Sequence, residues 1–309
     1  MVLIIGATGF IGMYTTQAFL KAGKQVIATG RNAALGRKLE EMGAEFLPLD
    51  ITKKEEFDKL PKGGVEGVVL LAGLLPANAA VNLDMDENAA DYFEVNVIGT
   101  IHVLEYCRKN GIRKVIGNCS YSDVSGGKKC PITEDEPRDF KFTGDHAVYV
   151  ISRNAANDMM EYYNQQHGMQ CAWFRFPPVY GVGPHGTIYV NGTAKKSGIA
   201  TFIDNAKEGK EIEIWGNPHI KRDIIYVKDV AEAYVAALKS DLTYGLYNMT
   251  GHIQVDLDEQ VKAVIEVFGG EKKSQIVYRP EKPNSTPSFL YSMDKAKRDF
   301  GFEPKYTSY

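Results

Sequence analysis

Val2-Leu3-Ile4-Ile5-Gly6-Ala7-Thr8-Gly9-Phe10-Ile11-Gly12 is the stretch whose reading decides the fold. Its first four residues are an apolar run that reads as a buried strand, and that strand passes directly into a glycine-rich turn. Ile11, Tyr14, Ala18 and Phe19 then mark an amphipathic helix. Gly6 permits the tight turn, Gly9 lets a phosphate approach the backbone with no Cβ in the way, and Gly12 lets the helix pack close to the strand. The free N–H groups and positive end of the helix favour an anion. The spacing, Gly-x-x-Gly-x-x-Gly, is one residue wider at its start than the common dinucleotide fingerprint. Strand before and helix after make a pyrophosphate cradle the preferred reading over an ordinary strand–helix turn.

Working outward, strand-like and helix-like segments alternate. Strands are expected at Gln25–Thr29, Ala44–Leu47, Val65–Leu71, Lys114–Asn118 and Gln170–Phe176. Helices are expected at Ala34–Met42, Asn88–Lys109 and Ala147–Gln166. Such alternation predicts an α/β fold, a parallel sheet with helices on both faces and ligands at the carboxyl ends of the strands. From Pro177 to about Arg222 glycine and proline recur between short elements, with a helix at Ile199–Glu208 and a strand at Glu211–Ile214. Asp223–Val227 and the helix Asp229–Leu238 read as a return to the main sheet. One more helix (Leu257–Phe268) precedes a loop broken by Pro280, Pro283 and Pro287. The division expected is a dinucleotide-binding domain of residues 1–178 with 223–248, and a substrate lobe of 179–222 with 249–309.

Bulk properties narrow the function. The 309 residues carry a net charge of −3 with both signs interspersed, which gives no reason to expect nucleic acid or a membrane surface. No apolar stretch reaches bilayer length, and no room for a secretory signal precedes the first strand, so a cytoplasmic protein is expected. Cys107, Cys119, Cys130 and Cys171 are scattered, which suits reduced thiols. The six histidines show no ligand spacing, and no metal site is expected.

At the end of the second strand, where an acid usually binds adenosine ribose, the chain reads Gly30-Arg31-Asn32. A guanidinium there can hold a 2′-phosphate that a carboxylate would repel, which favours NADP(H) and leaves NAD(H) possible. Asp50 is placed either to accept a bond from the adenine amino group or to cap the helix starting near Lys53.

With these residues in view, the chain resembles an extended short-chain dehydrogenase/reductase of the nucleotide-sugar epimerase/dehydratase family. The resemblance covers nearly the whole length. It rests on the glycine turn, Asp50-Ile51, Leu71-Ala72-Gly73, Asn96-Val97-Ile98-Gly99-Thr100 and Tyr149-x-x-x-Arg153. It continues through Arg175-Phe176-Pro177-Pro178-Val179-Tyr180-Gly181 and the run from Lys221 to Val230. It implies a Rossmann-type doubly wound parallel sheet with a smaller mixed C-terminal substrate lobe. It further implies cofactor contacts from Gly6, Thr8, Gly9, Phe10, Ile11, Gly12, Arg31, Asn32, Asp50, Ile51, Leu71, Ala72, Gly73, Asn96, Tyr149, Arg153, Pro178 and Val179.

The catalytic set implied is a Ser/Thr, a Tyr and a Lys acting on a sugar hydroxyl or ketone. Tyr149 matches the tyrosine. A phenol with an ordinary pKa near 10 needs a neighbouring cation to act as a base near neutral pH. The family's lysine is Arg153 here, four residues on and on the same helix face; its planar fork is not an equivalent replacement. Counting back from Val124-x-Gly126, the Ser/Thr position falls on Tyr121, with Ser120 and Ser122 flanking it. The Asp-Glu pair of dehydratases corresponds to Ser122 and Asp123, which argues against elimination of water. Arg222 matches a diphosphate anchor, and Arg279 and Lys282 fall near a second basic anchor. Pro177 stands where epimerases often have a sugar-touching asparagine, and it offers no donor. The function expected is an NAD(P)-dependent nucleotide-sugar epimerase or keto-sugar reductase. The alternatives are a catalytically degenerate dinucleotide-binding sensor and a reductase of a non-sugar carbonyl. Tyr92, Phe93, Tyr162 and Tyr163 extend the apolar faces of two long helices, and a homodimer through them is expected.

Overall fold

Side-chain alternation along the first strand sets the layers. Val2 and Ile4 enter one hydrophobic core, and Leu3 and Ile5 enter another on the opposite face. The structure, a computed structural model, describes residues 1–76, 89–124, 130–144, 146–183, 186–190, 193–284 and 288–309. Its strands are β1 (Val2–Ile5), β2 (Val26–Gly30), β3 (Glu45–Pro48), β4 (Gly67–Leu70), β5 (Lys114–Cys119), β6 (Gln170–Arg175) and β7 (Val179–Tyr180). There follow β8 (Thr187–Val190), β9 (Thr193–Lys196), β10 (Ile212–Trp215), β11 (Arg222–Tyr226), β12 (Gly245–Asn248), β13 (Ile253–Val255) and β14 (Ile276–Arg279). The helices are α1 (Phe10–Lys21), α2 (Ala33–Glu41), α3 (Ala89–Phe93), α4 (Gly99–Lys109), α5 (Ala147–His167), α6 (Gly198–Glu208), α7 (Val227–Lys239), α8 (Leu257–Phe268) and α9 (Asp294–Phe300).

Seven strands form one sheet in the order β12-β6-β5-β4-β1-β2-β3, and every pairing in it is parallel. Successive strands step one way from β1 to β3 and the other way from β4 to β6, so the topological switch lies between β1 and β4. Strands β1, β2 and β4 are buried along their whole length, as a parallel sheet covered on both faces requires. Phe19 of α1 and Val230, Tyr234 and Leu238 of α7 fill one core; Val103 and Leu104 of α4 and Met160 and Tyr163 of α5 fill the other. The expected helix beginning at Asn88, which is itself outside the described residues, is α3 and α4 joined by a π-helical segment, Glu94–Ile98. Its Tyr92 is fully buried whereas Phe93 is 39% exposed; on α5, Tyr163 is buried and Tyr162 is 49% exposed.

One expectation is corrected. The strand around Asp223–Val227 does not return to the main sheet: β11 pairs antiparallel with β13 and parallel with β7 in a separate three-stranded sheet. The return is made by α7, which packs against α1, and by β12, which joins the β6 edge. The smaller lobe also contains the parallel pair β10–β14, whose Ile212 and Ile214 pack with Ala206 of α6 and Val261 and Val264 of α8. Among the described residues no helix is long and apolar enough to cross a membrane, and all four cysteines are free.

Candidate active site

The turn after β1 is pinned by its neighbours. The N–H groups of Gly6 and Ala7 donate to Thr29 O (3.1 and 2.7 Å), and those of Leu71 and Ala72 donate to Ile5 O (2.8 and 3.0 Å). Gly6 has φ +87°, and a Cβ on it would lie 2.5 Å from Ala72 N. A Cβ on Gly12 would overlap the Gly6 carbonyl oxygen and sit 2.7 Å from Ala7 Cα, so only glycine lets α1 approach this closely. Gly9 is different. It is the N-cap of α1 in an extended conformation, and no side chain caps the helix or places an acid in its first turn. The first N–H groups of α1 are therefore left for a ligand.

A cleft of about 480 Å³ opens over this turn. It collects Gly6, Thr8, Gly9, Phe10, Ile11, Gly12, Arg31, Asn32, Asp50, Ile51, Leu71, Ala72, Gly73 and Arg153 from the expected cofactor set. It also takes Ile5, Gly30, Leu49, Leu75, Val95 and Asn118, which were not among the expected cofactor contacts. Gly30 had a usable signal, a glycine at a strand end; a Cβ there would overlap Thr8 Oγ1, so the glycine lets Thr8 lie across β2. Asn118 had none.

Asn32 caps α2 by accepting from Leu35 N–H (3.1 Å). Asp50 caps no helix. It accepts from the Thr52 N–H (3.1 Å) and hydroxyl (2.8 Å) in an Asx turn, and Lys53 is the N-cap of the following 3₁₀ turn, Lys54–Lys59. Burial opposes its ionisation, but the Thr52 bonds and the charges of Arg31 and Lys53 outweigh burial and hold the carboxyl below its ordinary range.

Four expected cofactor residues do not line the cleft: Asn96, Tyr149, Pro178 and Val179. Asn96, fully buried in the π-helical segment, is a clamp. Its Oδ1 accepts from Leu74 N–H (2.8 Å), and its amide donates to Leu74 O (3.1 Å) and Ser152 Oγ (3.0 Å), tying the loop after β4 to α5. Pro178 O accepts from Ile225 N–H (3.2 Å), and Val179 pairs with Ile225, so both hold β7 on β11. Tyr149 is 6% exposed and packs with Val150 and Tyr92, its ring 6.4 Å from that of Tyr92.

Arg153, 4% exposed, reaches the cleft from α5 and donates from Nη2 to Asn118 Oδ1 (2.8 Å). Tyr121 follows β5 in a 3₁₀ turn, Tyr121–Val124, and stacks on Phe289 at 5.2 Å. Burial pushes its phenol up, the Tyr149 phenol adds to this, and the Arg222 guanidinium and the Ser122 hydroxyl oppose it. The N–H of Ser122 donates to Ser120 Oγ (3.1 Å). Ser125 and Gly126, which fixed the count onto Tyr121, lie outside the described residues, as does Pro287. Asp123 forms a buried bidentate pair with Arg175 (3.0 and 2.9 Å), so its carboxylate is committed to structure.

Arg222 is a half-buried cation with no carboxylate partner among the described residues. Its Nη2 donates to Gln260 Oε1 (2.6 Å), its Nε has no partner among the described residues, and burial lowers its pKa. Arg279 and Lys282 are brought together on the β10–β14 ribbon, where both grip Glu213 (3.0 and 2.9 Å) and Lys282 lies over the Trp215 ring. The sequence reading also missed that His219, Asp256 and Asp258 place potential metal-ligand atoms within 4.8 Å of one another. Ammonium groups already sit there: Lys221 is 3.5 Å from Asp256 and Lys262 is 2.7 Å from Asp258.

Comparison with known proteins identifies the family. The family model described as the NAD dependent epimerase/dehydratase family matches residues 2–250. The chain belongs to this family. It is similar to the UDP-glucose 4-epimerase of Bacillus subtilis, 25% identical over 98% of this chain and 92% of that protein. A putative UDP-glucose 4-epimerase of Methanocaldococcus jannaschii is 29% identical over 77% of this chain and 73% of its own. Among solved structures, the UDP-glucose 4-epimerase of Thermus thermophilus in complex with NAD superposes with a TM-score of 0.75 at 25% identity, covering 98% of this chain and 94% of that one. The fold is also that of the Thermotoga maritima UDP-glucose 4-epimerase with UDP-glucose (TM-score 0.80, 23% identity, 98% and 93% covered).

Proposed function

We propose that this protein is an NAD(P)-dependent nucleotide-sugar epimerase, or a keto-sugar reductase, acting at a sugar carbon. The observation that carries the reading is the convergence in one cleft of a glycine cradle, closed to a Cβ at Gly6 and Gly12, and a buried arginine with an unsatisfied donor. These residues fit a dinucleotide: the α1 N-terminus at Gly9 would hold the pyrophosphate, Asp50 the adenine amino group and Arg153 ribose hydroxyls. Exposed Arg31 favours a 2′-phosphate and so NADP(H), although the Thermus relative is a complex with NAD. When bound, the nicotinamide supplies and accepts hydride.

The chain's own residues do the rest. Tyr149 takes and returns the proton of the substrate hydroxyl, and Arg153, one helical turn on along α5, supplies a positive charge to the site. Tyr121 or Ser122 donates a hydrogen bond to the same substrate oxygen. Arg222, a partly buried cation with no carboxylate, holds the diphosphate. Arg279 and Lys282 would serve a second anionic group only by leaving Glu213. Residues 1–178 with 223–248, less strand β11, form the dinucleotide-holding unit in this reading, and exposed Phe93 and Tyr162 support a homodimer. Four free cysteines support a cytoplasmic setting.

A second reading, a dinucleotide-binding sensor without turnover, is favoured by one observation: Tyr149 packs in an aromatic cluster and does not line the cleft. The test is incubation with UDP-glucose and other nucleotide sugars plus NAD(H) or NADP(H), with products followed by NMR, for wild type and Tyr149→Phe. Turnover lost in the variant, by about 10²–10⁴-fold, with dinucleotide binding intact supports the enzyme. Wild-type protein that binds dinucleotide but converts none of the sugars supports the sensor.

A further inference from the structure

Arg153 is an unusual buried cation. It is 4% exposed, yet no carboxylate lies within ion-pair distance of it among the described residues. Its hydrogen bond among the described residues goes to a neutral amide, from Nη2 to Asn118 Oδ1 at 2.8 Å. Its Nε has no acceptor among the described residues. Buried polar groups are normally satisfied, and one that is not calls for an explanation. Here the guanidinium lines the cleft, so its charge is offered to a ligand there without a carboxylate to neutralise it.

We propose that Asn118 is a positioning residue, holding the Arg153 guanidinium in the plane from which it serves a dinucleotide in the cleft. This rests on the reading of the cleft given under Proposed function. An arginine fork is planar and directional, whereas a lysine ammonium is a point charge that rotates freely to its acceptors. A fork in this place therefore needs an acceptor that fixes its plane, and Asn118, at the end of β5, is that acceptor. An amide is suited to the task because it takes a hydrogen bond without neutralising the charge. Gly73 supplies the room: a Cβ there would lie 3.0 Å from Arg153 Nη1 and 3.2 Å from Asn96 Oδ1. Asn118 comes from a strand, Arg153 from a helix and Gly73 from the loop after β4, so three elements converge on one guanidinium.

A double-mutant cycle tests this. The Kd for NADPH and for NADH is measured by calorimetry in wild type, Asn118→Leu, Arg153→Lys and the double variant, with thermal unfolding recorded for each. Asn118→Leu is expected to weaken the preferred dinucleotide at least about tenfold in the wild-type background. In the Arg153→Lys background, where no fork needs orienting, the same change is expected to cost less than about twofold. Equal losses in both backgrounds would mean a merely structural amide and overturn the proposal, as would an unchanged Kd in Asn118→Leu. Should Asn118→Leu not fold, the shorter Asn118→Ser takes its place in the cycle. Wild-type protein that binds neither dinucleotide overturns the cleft reading itself, and this inference falls with it.

Discussion

Gly9→Ala and Gly12→Ala are predicted to fail in opposite ways, although both add one methyl group to the same turn. At Gly12 the new Cβ would overlap the Gly6 carbonyl oxygen and lie 2.7 and 2.8 Å from Ala7 Cα and C. Carbon atoms pack at about 3.5–4.0 Å, so α1 must withdraw by about 1 Å from the turn. Helix α1 is also packed against α7, which limits the retreat. Overpacking of this kind costs about 1–3 kcal/mol, partly offset by up to about 1 kcal/mol of better helix propensity for alanine. Gly12→Ala should therefore lower the melting temperature by a few degrees and weaken dinucleotide binding as well. At Gly9 the new Cβ meets only Gly6 O at 3.3 Å, and the backbone (φ −81°, ψ 172°) suits alanine. The stability change should stay within about 1 kcal/mol, since reduced freedom of the unfolded chain offsets the close contact. That methyl group instead occupies the approach of a phosphate to the α1 N-terminus. Loss of one or two charge-assisted hydrogen bonds, at about 1.5–3 kcal/mol each, should weaken NADPH and NADH at least about tenfold. Thermal unfolding and calorimetric titration read the two effects separately. Gly9→Ala protein that binds dinucleotide within about twofold of wild type would refute the placing of the pyrophosphate over this turn.

Three further outcomes follow from single residues. Arg31→Asp should shift the ratio of NADPH to NADH affinity toward NADH by at least about tenfold, read by the same titrations; an unchanged ratio removes the reason to assign Arg31 a 2′-phosphate. Arg222→Leu should weaken UDP at least about tenfold while costing little stability, because the guanidinium has no carboxylate to leave unpaired; urea unfolding checks the second half. Asp223 is 2% exposed, and burial raises its carboxyl to about 6, against bonds from Tyr291 N–H and Thr250 that lower it. Its folded pKa lies above the unfolded value of 3.8, so its contribution to stability is fully present below about pH 4 and is lost as pH rises through 6. Asp223→Asn should accordingly stabilise the protein by up to about 3 kcal/mol at pH 8 and by little at pH 4. Equal effects at the two pH values would show that the carboxyl is not held back by burial.

The sequence by itself determined the main sheet, its helices and the phosphate turn. Those features are local: the continuous apolar run Val2–Ile5, helical periodicity in α1, and glycines whose missing Cβ has an immediate use. Element boundaries in the first half fell within a few residues of those observed for the same reason. The tertiary structure alone decided what depends on distant pairing. Strand β11 left the main sheet because its neighbours became β7 and β13, and no pattern within Arg222–Tyr226 encodes which edge it finds. Asp123 looked like half of an acid pair until Arg175, 52 positions away, closed on it inside the core. Asn96 looked like a ligand contact until Leu74 and Ser152 took its amide. Asn118 carried no signal at all, since an amide at a strand end acquires meaning only when Arg153 arrives from α5. Burial sets the energy of such polar partnerships, and burial is a property of the assembled layers rather than of any one segment.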